Sequence, residues 1–222
     1  MRLTLPNILT LLRLFAAPCV AVAFLALPRP AADVVALVLF VGAAATDWID
    51  GYLARAWQVE TKLGTMLDPI ADKAMVVIAL AVLLGFSSLA LAILLPAAVI
   101  LFREVFVSGL REFLGDVAGT LKVTKLAKWK TTVQMVAIAV LFAQGILAHL
   151  VAATFYALGE EQGRAILAGE AEDLQGLNAM SALLEVTWYG GITLIWVAAG
   201  LTAVTGWDYF RKAQPYLREE SA

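Results

Sequence analysis

Asp47-Trp48-Ile49-Asp50-Gly51-Tyr52-Leu53-Ala54-Arg55, eight intervening residues, and Gly64-Thr65-Met66-Leu67-Asp68-Pro69-Ile70-Ala71-Asp72 form the stretch from which the rest of the chain is read. On helical geometry Asp47 and Asp50, three apart, share one helix face, and Asp68 and Asp72, four apart, share another. If the two helices pack side by side, the pairs converge. The flanking sequence is strongly apolar, so converging carboxylates are costly unless cations neutralise them or protons are taken up. Two divalent ions would balance the four carboxylates, and all-oxygen ligands favour hard ions such as Mg²⁺ or Mn²⁺. Two such ions with a bound phosphate are a recurring arrangement for phosphoryl chemistry.

Working outward, the 222 residues are 62% hydrophobic and 15% charged, with a mean hydropathy of +0.85, which is the balance of an integral membrane protein and not of a soluble domain. The single cysteine, Cys19, lies in an apolar run, which leaves no disulfide framework and no cysteine metal site. No basic face interleaved with aromatics stands clear of the membrane, so no nucleic-acid partner is expected. We read an all-α, polytopic membrane domain over residues 1–222, with six spans in one bundle, each about 20 apolar residues long. They run from about Thr10 to Leu27, Asp33 to Tyr52, Thr65 to Gly85, Leu89 to Leu110, Leu126 to Leu147 and Leu184 to Thr205. Pro69 is placed in the first turn of the third span, where proline is tolerated. Arg13 inside the first apolar run and the weak cleavage site argue against a signal peptide.

Both Asp pairs then lie near one membrane surface. Of the Lys and Arg residues only Arg29 and Arg164 fall on the other side, so the Asp side is expected to be cytoplasmic, with both termini inside. Trp57, Trp129 and Trp207 read as interfacial anchors, and the lone histidine, His149, as an interfacial residue away from the aspartates. Residues 148–183 read as one long external loop, acidic through Glu160, Glu161, Glu170, Glu172 and Asp173.

The stretch resembles the signature of the CDP-alcohol phosphatidyltransferases, D-x-x-D-G-x-x-A-R followed by G-x-x-x-D-x-x-x-D, and every fixed position is present. Further blocks resemble the bacterial branch of that family that makes phosphatidylglycerol phosphate. One is Pro6-Asn7-Ile8-Leu9-Thr10-Leu11-Leu12-Arg13, where Arg13 reads equally as a side chain snorkelling to the interface. The others are Arg103-Glu104 through Ser108 to Arg111-Glu112, and Lys128-Trp129-Lys130-Thr131 with Gln134-Met135. Beyond Gln144 the resemblance thins out.

The resemblance implies phosphatidyl transfer from CDP-diacylglycerol to sn-glycerol 3-phosphate, with release of CMP, in a bacterial inner membrane and in a homodimer. Two Mg²⁺ or Mn²⁺ ions on Asp47, Asp50, Asp68 and Asp72 would clamp the pyrophosphate. Asp72 would serve as the general base, the role the family gives its fourth aspartate. Thr46, Gly51, Ala54, Arg55 and Gly64 would meet the nucleotide, the glycines by allowing close backbone approach and Arg55 by pairing with phosphate. Arg103, Arg111, Lys125, Lys128 and Lys130 form a basic cluster suited to the acceptor's phosphate, although such residues also flank spans on the cytoplasmic side as a rule. Two alternatives stand beside this. A sister transferase of cardiolipin synthase or phosphatidylinositol phosphate synthase type would use another acceptor, and a metal or proton transporter would line an ion path with the same aspartates.

Overall fold

The computed structural model describes residues 4–57, 61–87, 89–121 and 125–217, and among these there are helices and no strand. The order is α1 Leu5–Ala26, α2 Ala31–Trp57, α3 Lys62–Phe86, α4 Ala90–Leu114, a 3-10 turn Gly115–Thr120, α5 Lys125–Leu158, α6 Glu160–Leu167, α7 Leu177–Ala213 and a last 3-10 turn Gln214–Leu217.

Hydrophobicity alone does not assemble these helices, because lipid tails are as apolar as leucine; close van der Waals packing over small residues does. Ala17, Ala36, Ala71, Ala79, Ala97, Ala137 and Ala198 are fully buried, so neighbouring backbones approach closely around Phe40, Met75, Leu80, Ile93, Ile138, Phe142 and Ile195. Large apolar side chains also face outward, Leu25, Leu91, Phe102 and Val105 among them. That inversion suits a lipid surround and would be a liability in water. Five helices among the described residues, α1, α3, α4, α5 and the one beginning at Leu177, are long and apolar enough to cross a membrane. The remaining expected span, Asp33 to Tyr52, corresponds to α2, 27 residues long and outside that set.

The helices outrun the expected spans. α7 has 37 residues and α5 has 34, roughly 55 and 50 Å against a hydrocarbon core of about 30 Å. Much of residues 148–183, read from sequence as a loop, is therefore helical, and His149 lies within α5 instead of at its end. Gly159, at φ +85°, breaks α5 from α6, and the open chain is confined to residues 168–176. There Asp173 takes hydrogen bonds from the backbone N–H groups of Leu177 and Asn178, both 2.8 Å, and so satisfies the first turn of α7. The Asn178 N–H, with help from its neighbours, holds the Asp173 carboxyl below the usual range.

α3 also begins earlier than expected. Thr61 caps it, accepting a hydrogen bond from the Gly64 N–H at 3.1 Å. Pro69 consequently lies inside the helix, beyond its first turn, where its missing N–H removes one bond of the helical ladder.

The packing order corrects one premise. α2 and α3 touch little; α1 lies against both. Asp47, Asp68 and Asp72 converge around α1, not across a direct α2–α3 seam.

On the other face of the bundle Arg29 makes a two-pronged pair with Asp33, Nε–Oδ2 at 2.6 Å and Nη2–Oδ1 at 2.5 Å. It also donates to the Phe86 carbonyl at the end of α3, at 2.5 Å. Asp33 is 1% exposed, and Gly145 of α5 leaves the room for the pair, since a Cβ there would meet Asp33 Oδ1 and Arg29 Nη2.

Candidate active site

Three polar residues of α1, each three after the last, organise the site. Asn7, Thr10 and Arg13 share one helix face and are 2%, 1% and 3% exposed, in a helix that is otherwise apolar or neutral. Buried polar groups must find partners, and each finds one in the motif helices. Arg13 Nη1 donates to Asp47 Oδ1 on α2 at 2.5 Å and also to Asp72 Oδ1 on α3. The Thr10 hydroxyl donates to Asp68 Oδ1 at 2.7 Å. Asn7 Oδ1 accepts from the Thr61 hydroxyl at 2.8 Å. Arg13 therefore does not snorkel to the interface. It is the counter-charge that lets two carboxylates share an apolar setting.

The sequence reading did not give Asn7, Thr10 and Arg13 roles in the site. The available signal was their spacing, one polar face on an apolar helix, in a chain whose aspartates need positive charge.

Asp47, Arg13 and Asp72 border a cavity of about 330 Å³ whose far wall is Thr131, Thr132 and Met135 of α5. The Asp47 and Asp72 side chains are half exposed toward it, so they are open to a ligand. Thr46 spends its hydroxyl on the Ala43 carbonyl of its own helix, 2.9 Å away. Gly64 is buried, and a Cβ there would come within 2.9 Å of Asn7 Oδ1, so the first need for glycine at this position is the approach of α1. Asp50, Gly51, Ala54 and Arg55 lie on the last turns of α2, and Lys125 opens α5; their side chains are outside the described residues.

Among the described residues no group of three carboxylate, histidine or cysteine side chains is gathered closely enough to hold a metal ion. The donor chemistry nonetheless fits a hard divalent cation. Asp47 and Asp72 place one oxygen each on the same Arg13 nitrogen, so those oxygens lie no more than about 6 Å apart. Both groups keep further lone pairs facing open space.

The basic residues form a second cavity, of about 110 Å³, between α3, α4 and α7. Of the five expected there, Arg103 and Arg111 line it. Lys130 is buried beside it in an ion pair with Glu104, which Arg103 also approaches at 3.3 Å. Lys128 is exposed and does not line it. The cation that sequence reasoning missed is Lys73, whose Nζ donates to Ser108 Oγ at 2.6 Å. Lys73 follows Asp72 directly, so one turn of α3 serves both cavities, Asp72 the first and Lys73 the second.

With this geometry in view, similarity to known proteins becomes specific. A model of the CDP-alcohol phosphatidyltransferase family matches residues 3–159, from the start of α1 to the end of α5. A protein of Cereibacter sphaeroides is 58% identical over 221 residues, 99% of this chain and 100% of its own length. It is named CDP-diacylglycerol–glycerol-3-phosphate 3-phosphatidyltransferase. A Rickettsia bellii protein of the same name is 34% identical over 96% of both chains. One from Haemophilus influenzae, again so named, is 39% identical over 62% of this chain and 75% of its own. The extent of the match and the intact motif agree: the chain belongs to the CDP-alcohol phosphatidyltransferase family.

Proposed function

We propose that this protein transfers the phosphatidyl group of CDP-diacylglycerol to sn-glycerol 3-phosphate, giving phosphatidylglycerol phosphate and CMP. The observation that carries the proposal is the pairing of the two cavities on α3, an acidic one at Asp72 and a basic one at Lys73. A phosphorylated alcohol held by its phosphate in the second can offer a hydroxyl to the first. The second cavity, about 110 Å³, suits glycerol phosphate better than a whole phospholipid acceptor, which favours this reading over a cardiolipin synthase. The names of the relatives point the same way. An ion path is not favoured, because the face of α3 beyond Asp72 is buried and apolar through Met75, Val76, Ala79, Leu80 and Leu83.

Asp47, Asp50, Asp68 and Asp72 are the residues that would hold divalent cations, Mg²⁺ or Mn²⁺, which when bound neutralise the pyrophosphate and the departing nucleotide phosphate. The chain's own residues do the rest. Arg13 holds Asp47 and Asp72 in one orientation, and Thr10 does so for Asp68. Arg103, Arg111 and Lys73 bind the acceptor phosphate and aim its terminal hydroxyl. Asp72 takes the proton of that hydroxyl as its oxygen bonds to the phosphorus carrying the diacylglycerol, and the bond from that phosphorus to the CMP oxygen breaks. Thr46, Gly51, Ala54, Arg55 and Gly64 belong to the nucleotide side of the proposal, and Lys125 and Lys130 to the acceptor side; Lys128, exposed and off the cavity, is a flanking charge. Six spans with both termini and the site on the cytoplasmic face of a bacterial inner membrane complete it, as does a homodimer.

Asp72→Asn tests the chemistry. Turnover should be lost while CDP-diacylglycerol binding, measured by calorimetry in detergent, largely persists; equal loss of both would make Asp72 mainly a ligand and take the role of base from it.

A further inference from the structure

The second cavity is finished by α7, which lies outside the segment that matches the family model. Most of its polar lining is engaged within the chain. Ser108 accepts from Lys73 and donates to the Glu104 carbonyl. Thr205 donates to its own helix, to the Leu201 carbonyl at 2.8 Å. Asp208 pairs with Lys212 at 2.7 Å. The Arg111 guanidinium lies over the Tyr209 ring, 5.5 Å from its centroid. Two groups are left over, Arg103 Nε and the Tyr209 hydroxyl; Tyr209 is 7% exposed, it lines the cavity, and its oxygen has no hydrogen-bond partner. A buried phenol without a partner is costly and rare enough to ask for an explanation.

Glycerol 3-phosphate brings three polar parts. On the reading above, the phosphate takes the cations and the terminal hydroxyl goes to Asp72. The hydroxyl at C2 remains without a partner; of the two unpartnered groups on residues lining this cavity, Arg103 Nε belongs to a cation that takes the phosphate, which leaves the Tyr209 hydroxyl for C2. We propose that Tyr209 is a specificity-determining residue, its phenol hydrogen-bonding the C2 hydroxyl of the acceptor. The inference rests on the acceptor reading of this cavity. A site built around a hydroxyl rejects an analogue that lacks it, because its own polar group is then buried unpaired.

The test uses the full-length protein in detergent with saturating CDP-diacylglycerol, and reads initial rates of CMP release. Two acceptors are compared: glycerol 3-phosphate and 3-hydroxypropyl phosphate, which differs only in lacking the C2 hydroxyl. Tyr209→Phe keeps the ring and its place under Arg111, so the fold is retained. The variant should raise the KM for glycerol 3-phosphate roughly 3- to 10-fold, the worth of one neutral hydrogen bond. The KM for CDP-diacylglycerol should not move. For 3-hydroxypropyl phosphate, wild type and variant should have equal KM values. An equal rise for both acceptors, or no rise for either, overturns the assignment. Arg103→Ala separates that failure from failure of the acceptor reading. It should raise the KM for both phosphates, and if it raises neither, the cavity is not the acceptor site.

Discussion

Arg13 is the residue on which the geometry of the site depends, and the cost of losing it can be worked out. Its Nη1 makes two charge-assisted hydrogen bonds, to Asp47 and to Asp72. At about 1.5–3 kcal/mol each, they total roughly 3–6 kcal/mol. The Arg13 side chain is 2% exposed, but those of Asp47 and Asp72 are 50% and 51% exposed. Water can therefore take over part of what the guanidinium supplies, and discounting by about half leaves roughly 1.5–3 kcal/mol. If that energy organises the reacting carboxylates, it appears as about a 10- to 150-fold loss in rate. Arg13→Gln keeps a polar side chain and removes the charge, and should show that loss in kcat for CMP release. Arg13→Lys should fall between Gln and wild type. Its ammonium is a point charge on a stem one atom shorter, able to meet one carboxylate well but not both. Thermal unfolding of each variant in detergent separates a damaged site from a damaged fold. A glutamine variant within about threefold of wild type in kcat, below 1 kcal/mol of barrier, would refute the reasoning.

Other positions carry expectations of different kinds. Gly145→Ala should lower the unfolding temperature sharply, because its Cβ enters the space of the buried Arg29–Asp33 pair, whereas Gly42→Ala on α2, where a Cβ meets nothing within 4 Å, should not. Arg111→Ala should raise the KM for glycerol 3-phosphate much more than that for CDP-diacylglycerol, while Lys128→Ala, exposed and off the cavity, should alter neither by much; an equal effect of Arg111→Ala on both substrates would return Arg111 to the role of a flanking charge. Asp173→Ala should cost stability by uncapping the first turn of α7. Because the folded-state value of Asp173 is lowered, its contribution is present in full above the ordinary carboxylate range and fades as pH falls through the folded value. The gap in melting temperature between wild type and variant should close in acid, and a gap that widens there would contradict the capping role.

The carboxylates were legible in the sequence because four of them in apolar flanks need a chemical reason to exist. Their counter-charge was harder to read. Arg13 sits 34 residues before Asp47 in the chain and 59 before Asp72, and its apolar neighbours offer a plain alternative, snorkelling, that only packing decides. Lys73 was hidden by adjacency: a residue next to a motif position points away from the motif's face, and only the placement of α4 and α7 shows that it points into another site. The helical content of residues 148–183 was masked by composition. Five acidic residues suggest open chain, yet Glu160 and Glu161 stand in the first turn of α6, where they complement the helix dipole, and Asp173 closes the start of α7. Small residues at helix contacts, which set how near the spans approach, look from sequence like ordinary apolar filling.

The claim that ties these features together is that one turn of α3 brings a basic pocket for a phosphorylated alcohol beside an acidic site for a nucleotide-activated lipid. CMP release by the purified protein tests it most directly, with CDP-diacylglycerol and Mg²⁺ present and glycerol 3-phosphate, inositol phosphate, phosphatidylglycerol or no acceptor supplied. Release that depends on glycerol 3-phosphate is the predicted result. Release with phosphatidylglycerol or inositol phosphate instead would contradict the acceptor assignment, and none with any acceptor, in folded protein, would contradict the claim itself.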